Sequence, residues 1–511
     1  MKSEPFVYAG PSSATFTRSW LSGIVFPCLL LTAPVASRAQ SQQLSPDAVT
    51  FRTLFNFKGT NGADPGTPLV QGFDGNIYGT VAGTSGNGIF LKMTPGGSLT
   101  EVQYAGGGPG FLVLGADGNF YGAGPAISSI GTIVKVTPSG AMTTIYTFCA
   151  LPNCADGYSA NWVTFGRDGN IYGTTGQGGS NGSPGWGTVF KLTLQGTLTS
   201  LYSFCSQVNC ADGLGPNGLI QGTDGNFYGT TYGGGTGPGV GAGVVFKITP
   251  KGTFTILHTF CSEVNCTDGQ TPLWPPVQGA DGDLYGTTNN GGANQNPCSF
   301  EGGCGSVYKI TSAGVFSSLY SFCEEANCAD GALPYWPLIE GNDGNFYGTT
   351  ATGGAGSCSL FSPPAGCGTI FKVTPGGTLT TLHQFEGTDG EIALALMEDT
   401  NGSLYGTTSY GGTTNRQCSS GCGTIFRLSA GLRPFVELLP TAGKVGATVQ
   451  ILGSNLTAAT AVSFNRAAAG FTVVSETQIS ATIPAGATSG HVTVTLPGGT
   501  LKSNVRFEVL Q

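Results

Sequence analysis

Short runs of alternating apolar and polar residues recur along most of the chain, separated by glycine-rich turns. Val189-Phe190-Lys191-Leu192-Thr193 and Thr197-Leu198-Thr199-Ser200-Leu201-Tyr202-Ser203-Phe204 are typical. Each reads as a strand that turns every second side chain toward a core. No segment sustains the three-and-four spacing of an amphipathic helix, so the pattern predicts an all-β protein.

The runs belong to a repeat. Its signature is Asp-Gly-Asn-(Ile/Phe)-Tyr-Gly-Thr or a close variant, with tyrosines at Tyr78, Tyr121, Tyr172, Tyr228, Tyr285, Tyr347 and Tyr405. One unit holds four strands. Strand a resembles Leu219-Ile220-Gln221, and the Asp224-Gly225 turn joins it to strand b, Asn226-Phe227-Tyr228-Gly229. An Asp-Gly pair between short apolar runs is a hairpin signal, because the turn needs positive φ. A variable Gly-rich stretch leads to strand c, and turns such as Pro95-Gly96-Gly97 lead to strand d. Four antiparallel strands per unit describe a propeller blade.

The ends of the array complement each other. The seventh unit stops after Ile425-Phe426-Arg427-Leu428, without a strand d. Phe51-Arg52-Thr53-Leu54-Phe55-Asn56-Phe57 reads as a strand d with nothing before it, and Phe55–Thr60 echoes His383–Thr388. The expectation is a seven-bladed β-propeller over residues 50–430, closed by the N-terminal strand so that no sheet edge is left open. From residue 433 to 511 alternating runs such as Val449-Gln450-Ile451-Leu452 and His491-Val492-Thr493-Val494 predict a small immunoglobulin-like β-sandwich.

Composition adds a compartment. Arg18 precedes an apolar stretch from Trp20 to Ala36, and Ser37-Arg38-Ala39 offers a cleavage site, so residues 1–39 read as a signal peptide. An uncleaved membrane helix is the alternative; no later segment is apolar enough to cross a bilayer. Apart from Cys28 in that stretch, the cysteines fall into close pairs: Cys149 with Cys154, Cys205 with Cys210, Cys261 with Cys266, Cys298 with Cys304, Cys323 with Cys328, Cys358 with Cys367, and Cys418 with Cys422. An even count of local pairs behind a signal peptide indicates disulfides formed outside the cytoplasm. Zinc competes for these cysteines, but the spacings lack paired C-x2-C units and the chain has three histidines. The expected location is extracellular or at the cell surface, with the periplasm as an alternative.

The unit Asp-Gly-Asn-Phe-Tyr-Gly-Thr-Thr…Gly-Thr-Val-Phe-Lys-Leu-Thr…Leu-Tyr-Ser-Phe resembles the Gloeobacter/Verrucomicrobia (GloVer) tandem repeat of bacterial exported proteins, over roughly residues 50 to 429. That resemblance implies surface-sorted proteins without an established activity. The sequence departs from the pattern in having no terminal apolar sorting helix. The tail, through Pro440…Gly443…Gly446…Val449-Gln450-Ile451-Leu452-Gly453-Ser454-Asn455-Leu456, resembles an IPT/TIG domain, which implies a spacer or interaction module.

Catalytic chemistry finds little to work with. His258 and His383 stand where other units carry Tyr146, Tyr202 and Tyr320, and read as packing substitutes, while His491 lies in the sandwich. No base is therefore evident for a Ser-His-Asp or Cys-His arrangement. The signature aspartates, Asp74, Asp117, Asp168, Asp224, Asp281 and Asp343, are explained by turn chemistry, with calcium as the alternative; no other cofactor is implied. A net charge of −8 without a basic cluster argues against nucleic acid as partner.

Strand alternation places the a–b and c–d turns on one face of the ring and the b–c and d–a loops, with every cysteine pair, on the other. That stapled face is the expected binding surface, centred on blades three to seven. Candidate contacts are Trp162, Trp186, Trp274, Tyr335 and Trp336, with Phe300 and Phe361 in the stapled loops. Exposed aromatic faces stack on sugars or anchor proteins, so the expected partner is a polysaccharide or a protein at the cell surface. The competing reading of the tryptophans before strand a is that they fill the ring centre. The functional alternative is a carbohydrate-active enzyme, a glycoside hydrolase or polysaccharide lyase, using Glu301, Glu324, Glu325 and Glu340.

Overall fold

The computed structural model describes residues 49–510, apart from 84–87, 105–106, 125–130, 183–184, 237–241, 297, 299–301 and 359–365. The expected signal peptide lies outside the described residues.

Seven antiparallel sheets of four or five strands follow one another between Thr50 and Ser429. Blade 4 shows the plan, with Leu214–Gln221, Phe227–Gly233, Val244–Ile248 and Phe254–Thr259 as strands a to d. Strand a starts earlier than the sequence pattern suggests, because Leu214 and Pro216 still pair with strand b although Gly215 and Pro216 break the alternation. In blades 1 and 7 strand a is split into two short pieces, Ala63–Pro65 with Val70–Gln71 and Glu391–Ala393 with Met397–Glu398.

The signature residues are fixed by close packing. Gly225 adopts φ +81° in the a–b turn, a conformation that favours glycine. At Gly229 a Cβ would lie 2.4 Å from the Gly218 carbonyl oxygen and 2.6 Å from the Phe246 ring, so only glycine lets strands a, b and c approach this closely. The tyrosine that precedes this glycine is buried, and in every blade it joins the apolar cluster of the next one. Tyr172 stacks on Phe227 at 4.1 Å and Tyr285 on Phe346 at 4.0 Å.

The series runs round the whole array, since Tyr405 of blade 7 packs with Phe57, Leu69, Ile77 and Ile89 of the first blade's region. Strand Thr50–Asn56 supplies the outer strand of blade 7 by pairing antiparallel with Thr424–Ser429. The first-blade Gln71 also accepts a hydrogen bond at 3.1 Å from the Thr400 amide of blade 7.

The C-terminal module is a two-sheet sandwich. One sheet runs Glu437–Leu439, Thr448–Leu452, Gln478–Thr482, Phe471–Val473, and the other Ala467–Ala469, Ala461–Phe464, Val492–Leu496, Gly499–Lys502. Val449, Ile451, Val462, Phe464, Ile479 and Val494 form its core. It docks on the a–b turns of the propeller. The Thr477 hydroxyl donates to the Phe73 carbonyl at 2.7 Å, Thr400 and Ser454 hydroxyls meet at 3.1 Å, and Arg167 pairs with Glu508. Leu452 enters the cluster of Tyr78, Phe90 and Leu114. The stapled-loop face is left uncovered by the module.

Candidate functional site

The repeated aspartates hold the a–b hairpin to its own blade. Asp117 accepts from the Tyr121 hydroxyl, the Asn119 side chain and Lys135, each at 2.8 Å. Burial works to raise this carboxyl, but the hydrogen bonds from Lys135, Asn119 and Tyr121 outweigh it and hold it down at about 2. Lys92, Lys191 and Lys309 make the same contact with Asp74, Asp168 and Asp281. The carboxylates thus serve the turn and the tyrosine beneath it.

All seven expected cysteine pairs are bonded. In the d–a loops Cys149 is joined to Cys154, Cys205 to Cys210, Cys261 to Cys266, and Cys323 to Cys328. In the b–c loops of blades 5 to 7 Cys298 is joined to Cys304, Cys358 to Cys367, and Cys418 to Cys422. Each d–a bridge is seconded by a buried aspartate two residues after its second cysteine. Asp212 accepts from the Tyr202 hydroxyl at 2.7 Å, the Ser206 hydroxyl at 2.8 Å, and the amides of Ser206 and Gln207. Asp156 and Asp330 repeat the arrangement with Tyr146 and Tyr320.

His258 and His383 take the tyrosine's place, with Nε2 at 3.2 Å from Asp268 and 2.8 Å from Asp389. Their rings stack on Phe316 and Phe51. The Ser262 hydroxyl donates to Asp268 and not to the histidine, so the order of a nucleophile–base–acid relay is absent here. These buried aspartates escaped the sequence reading, although the recurring Cys-x-Asp-Gly after each loop was a visible signal.

The structure separates the aromatic candidates. Trp162, Trp274 and Trp336 meet around Phe111 at the ring centre, with Trp274 stacked on Trp336 at 5.0 Å. Trp336 is only 8% exposed and packs on Leu394 and Ala395. Gly218 makes the space in blade 4, since a Cβ there would lie 2.8 Å from Trp162. These three tryptophans therefore plug the ring, because strand a of each blade delivers its side chains to the axis, and they do not form an open contact surface on the stapled loops.

Trp186 and Tyr335 do stand out from those loops, at 46% and 44% exposure. Phe300, Phe361 and Glu301 lie outside the described residues. Two further side chains were missed, Val208 and Val264, which are 85% and 81% exposed at the tips of adjacent d–a loops.

The glutamates do not gather at one cleft. Glu324 and Glu325 are exposed on the stapled face. Glu340 ends strand a at the opposite face, where it accepts the Ala280 amide of the preceding blade at 2.7 Å. There it joins a second group that the sequence did not single out. A cavity of about 710 Å³ lies between the inner strands and the C-terminal module, lined by Trp162, Leu112, Leu396, Phe435 and the carboxyls of Glu340, Glu398 and Glu437. An adjoining cavity of about 670 Å³ shares Trp162, Glu340 and Phe435 and is edged by Arg433, His491 and Lys502. Burial raises the Glu398 carboxyl to about 8 and that of Glu437 to about 7. Glu398 Oε2 accepts the Asn342 amide, and its Oε1 is buried without a partner among the described residues.

Comparison with solved structures finds propellers at low similarity. The WD40 β-propeller domain of Doa1 is 10% identical, with 74% of this chain covering 97% of that one at a TM-score of 0.45. The extracellular domain of a hybrid two-component system from B. thetaiotaomicron is 11% identical, covering 90% of this chain and 57% of that one at 0.45. A gluconolactonase from Xanthomonas campestris is 10% identical, covering 75% and 89% at 0.37. At these scores none of them bears on activity. No curated protein matches the chain. The Gloeobacter/Verrucomicrobia repeat matches residues 82–300 and 243–462, and the IPT/TIG domain matches residues 435–509. Given matches that together span most of its length, the chain belongs to the Gloeobacter/Verrucomicrobia repeat family and ends in an IPT/TIG domain.

Proposed function

We propose that this is an exported binding protein that uses the disulfide-braced face of its propeller to engage a polysaccharide or protein at the cell surface. The carrying observation is the distribution of exposed apolar side chains. Leu151, Trp186, Val208, Val264 and Tyr335 project from b–c or d–a loops, and Tyr232 stands near the end of strand b of blade 4. The other face is occupied by the IPT/TIG module. Large apolar side chains held on braced loops suit a recognition surface, because little conformational entropy remains to be lost on binding.

Seven disulfides fit an extracellular or secreted protein, and among the described residues no helix is long and apolar enough to cross a membrane. A glycosidase would need two carboxyls about 5 to 9.5 Å apart across one bond. The separation of Glu324 and Glu325 from Glu340 on opposite faces supports binding over hydrolysis.

The test is retention of the oxidised protein on a panel of immobilised polysaccharides, with soluble sugar products assayed in parallel. Retention without products, reduced about tenfold or more by Trp186→Ala or Tyr335→Ala, is the expected result. Release of products would replace the proposal with an enzymatic one. Failure of both substitutions to change retention would remove the stapled face as the site.

A further inference from the structure

The stapled face is divided by charge. The d–a loops that follow blades 4 and 5 carry Glu263, Glu324 and Glu325, all exposed. Over blades 3 and 4, by contrast, the stretches 176–182, 185–187, 213–218 and 230–236 hold no acidic or basic residue. Three positions in this uncharged sector break the repeat, and they meet one another.

Trp186 is the first. Its carbonyl accepts the Gly215 amide at 2.9 Å, and the same bond joins Ala242 to Thr271, Cys304 to Leu333 and Cys367 to Ile392 at 2.8, 2.9 and 3.2 Å. The backbones therefore correspond, yet Ala242, Cys304 and Cys367 are buried where Trp186 is 46% exposed. An indole left in water where the fold buries a small side chain is not there to fill the blade. Gly215 is the second. Its φ of +61° is matched by Thr271, Leu333 and Ile392 at +58°, +55° and +57°, so the backbone here does not require glycine. Leu333 and Ile392 are buried at this place, whereas blade 4 has no side chain there. A Cβ built on Gly215 would find one neighbour within 4 Å among the described residues, the Tyr232 Cβ at 3.6 Å. Tyr232 is the third. It is 55% exposed, where the Tyr-Gly-Thr-Thr run of other blades leads to Gly176, Asn289, Ala351 or Ser409.

The Gly215 amide points away from strand b to Trp186, and Tyr232 stands on strand b, so the two aromatic residues lie on opposite sides of the glycine. An open, flat floor between two exposed rings suits a ligand with apolar faces of ring size. Gln177 and Ser180, exposed in the b–c connection of blade 3, offer an amide and a hydroxyl to a ligand that also carries hydroxyls. A charged polymer would find no counter-charge in this sector, and an acidic one would be repelled by the glutamates beside it. A pyranose unit without charge combines C–H faces with hydroxyl edges and meets each of these conditions.

We propose that Trp186, Gly215 and Tyr232 form a subsite for a neutral polysaccharide, a chain of uncharged pyranose units crossing the joint between blades 3 and 4. The subsite rests on the stapled face being a recognition surface, and gives that surface a ligand class and a place.

The experiment is calorimetric titration of the full oxidised chain with cellohexaose, maltohexaose, mannohexaose and hexagalacturonate. At least one neutral hexaose binds, hexagalacturonate binds at least about tenfold more weakly than it, and added salt leaves the neutral affinity unchanged. Trp186→Ala and Tyr232→Ala each lower that affinity about tenfold or more. Gly215→Leu does the same by filling the floor, in a conformation that Leu333 already adopts, while Trp186→Tyr keeps an aromatic face and stays within about threefold of the parent. Thermal unfolding of each variant separates loss of the site from loss of the fold. No binding of any neutral hexaose, tighter binding of hexagalacturonate, or affinity unchanged in both alanine variants overturns the proposal. Retention of a polysaccharide that Tyr335→Ala weakens, and that Trp186→Ala and Tyr232→Ala do not, would remove this subsite and keep the stapled face as the binding surface.

Discussion

Tyr202 and His258 occupy equivalent places in adjacent blades and reach their aspartates with different atoms, a phenol oxygen at 2.7 Å and an imidazole nitrogen at 3.2 Å. What matters at this position is a planar ring that carries a polar atom at its far end. His258→Tyr is therefore expected to change stability by less than about 1 kcal/mol, measured by denaturant unfolding. Asp212→Ala removes the acceptor and leaves two hydroxyls and two amides without it, and costs about 3 kcal/mol or more in the same measurement.

Glu398 carries a pH dependence. Its carboxyl takes up its proton in the folded protein near pH 8, against 4.5 for the free group. The folded state thus binds the extra proton, so stability is full below about pH 4.5 and declines as pH rises toward 8. Glu398→Gln keeps an oxygen for the Asn342 amide and abolishes that decline. Its gain over the parent is expected to grow by about 4 kcal/mol between pH 5 and pH 9, followed by thermal unfolding at both pH values.

At the scale of strands and loops, the d–a connections are doubly secured. Replacing Cys205 and Cys210 together by serine is expected to cost no more than about 2 kcal/mol, since the closed loop is short and Asp212 still binds both ends. Faster amide exchange confined to residues 205–213 is the signature to look for. The inner strands answer to different constraints. Gly218→Ala drives a methyl against Trp162 and costs about 1–3 kcal/mol, with a change in tryptophan fluorescence.

This contrast explains what the sequence made legible. Strands, turns, bridges and the histidine substitutions recur from unit to unit, so each blade confirms the reading of the others. The bridge from Cys149 to Cys154 predicts those from Cys261 to Cys266 and from Cys323 to Cys328, because the same loop returns at the same place. The central plug does not repeat. Trp162, Gly218, Trp274 and Trp336 differ from blade to blade because seven inner strands share one axis, and only their joint arrangement decides which side chain fills it. Glu398 and Glu437 were invisible for a related reason, as their surroundings are made by two domains together.

The whole molecule is a ring with one face stapled and the other capped. Its joint is the pairing of Thr50–Asn56 with Thr424–Ser429. Removing residues 49–57 would bare the edge of Thr424–Ser429 and empty the place of Phe57 beside Tyr405. The truncated protein is expected to unfold at a lower temperature and to aggregate, which light scattering during a thermal ramp would register.

That same joint gives the protein a history in time. The strand synthesised first is bound last, after roughly 370 further residues have been made. At about 5–20 residues per second, tens of seconds separate the two halves of one sheet. The strands of each internal blade are made close together in time, while Phe51, Phe55 and Phe57 wait without cover until the final unit arrives. Strand Thr50–Asn56 is therefore the natural target for a holding chaperone until its partner strand has been made.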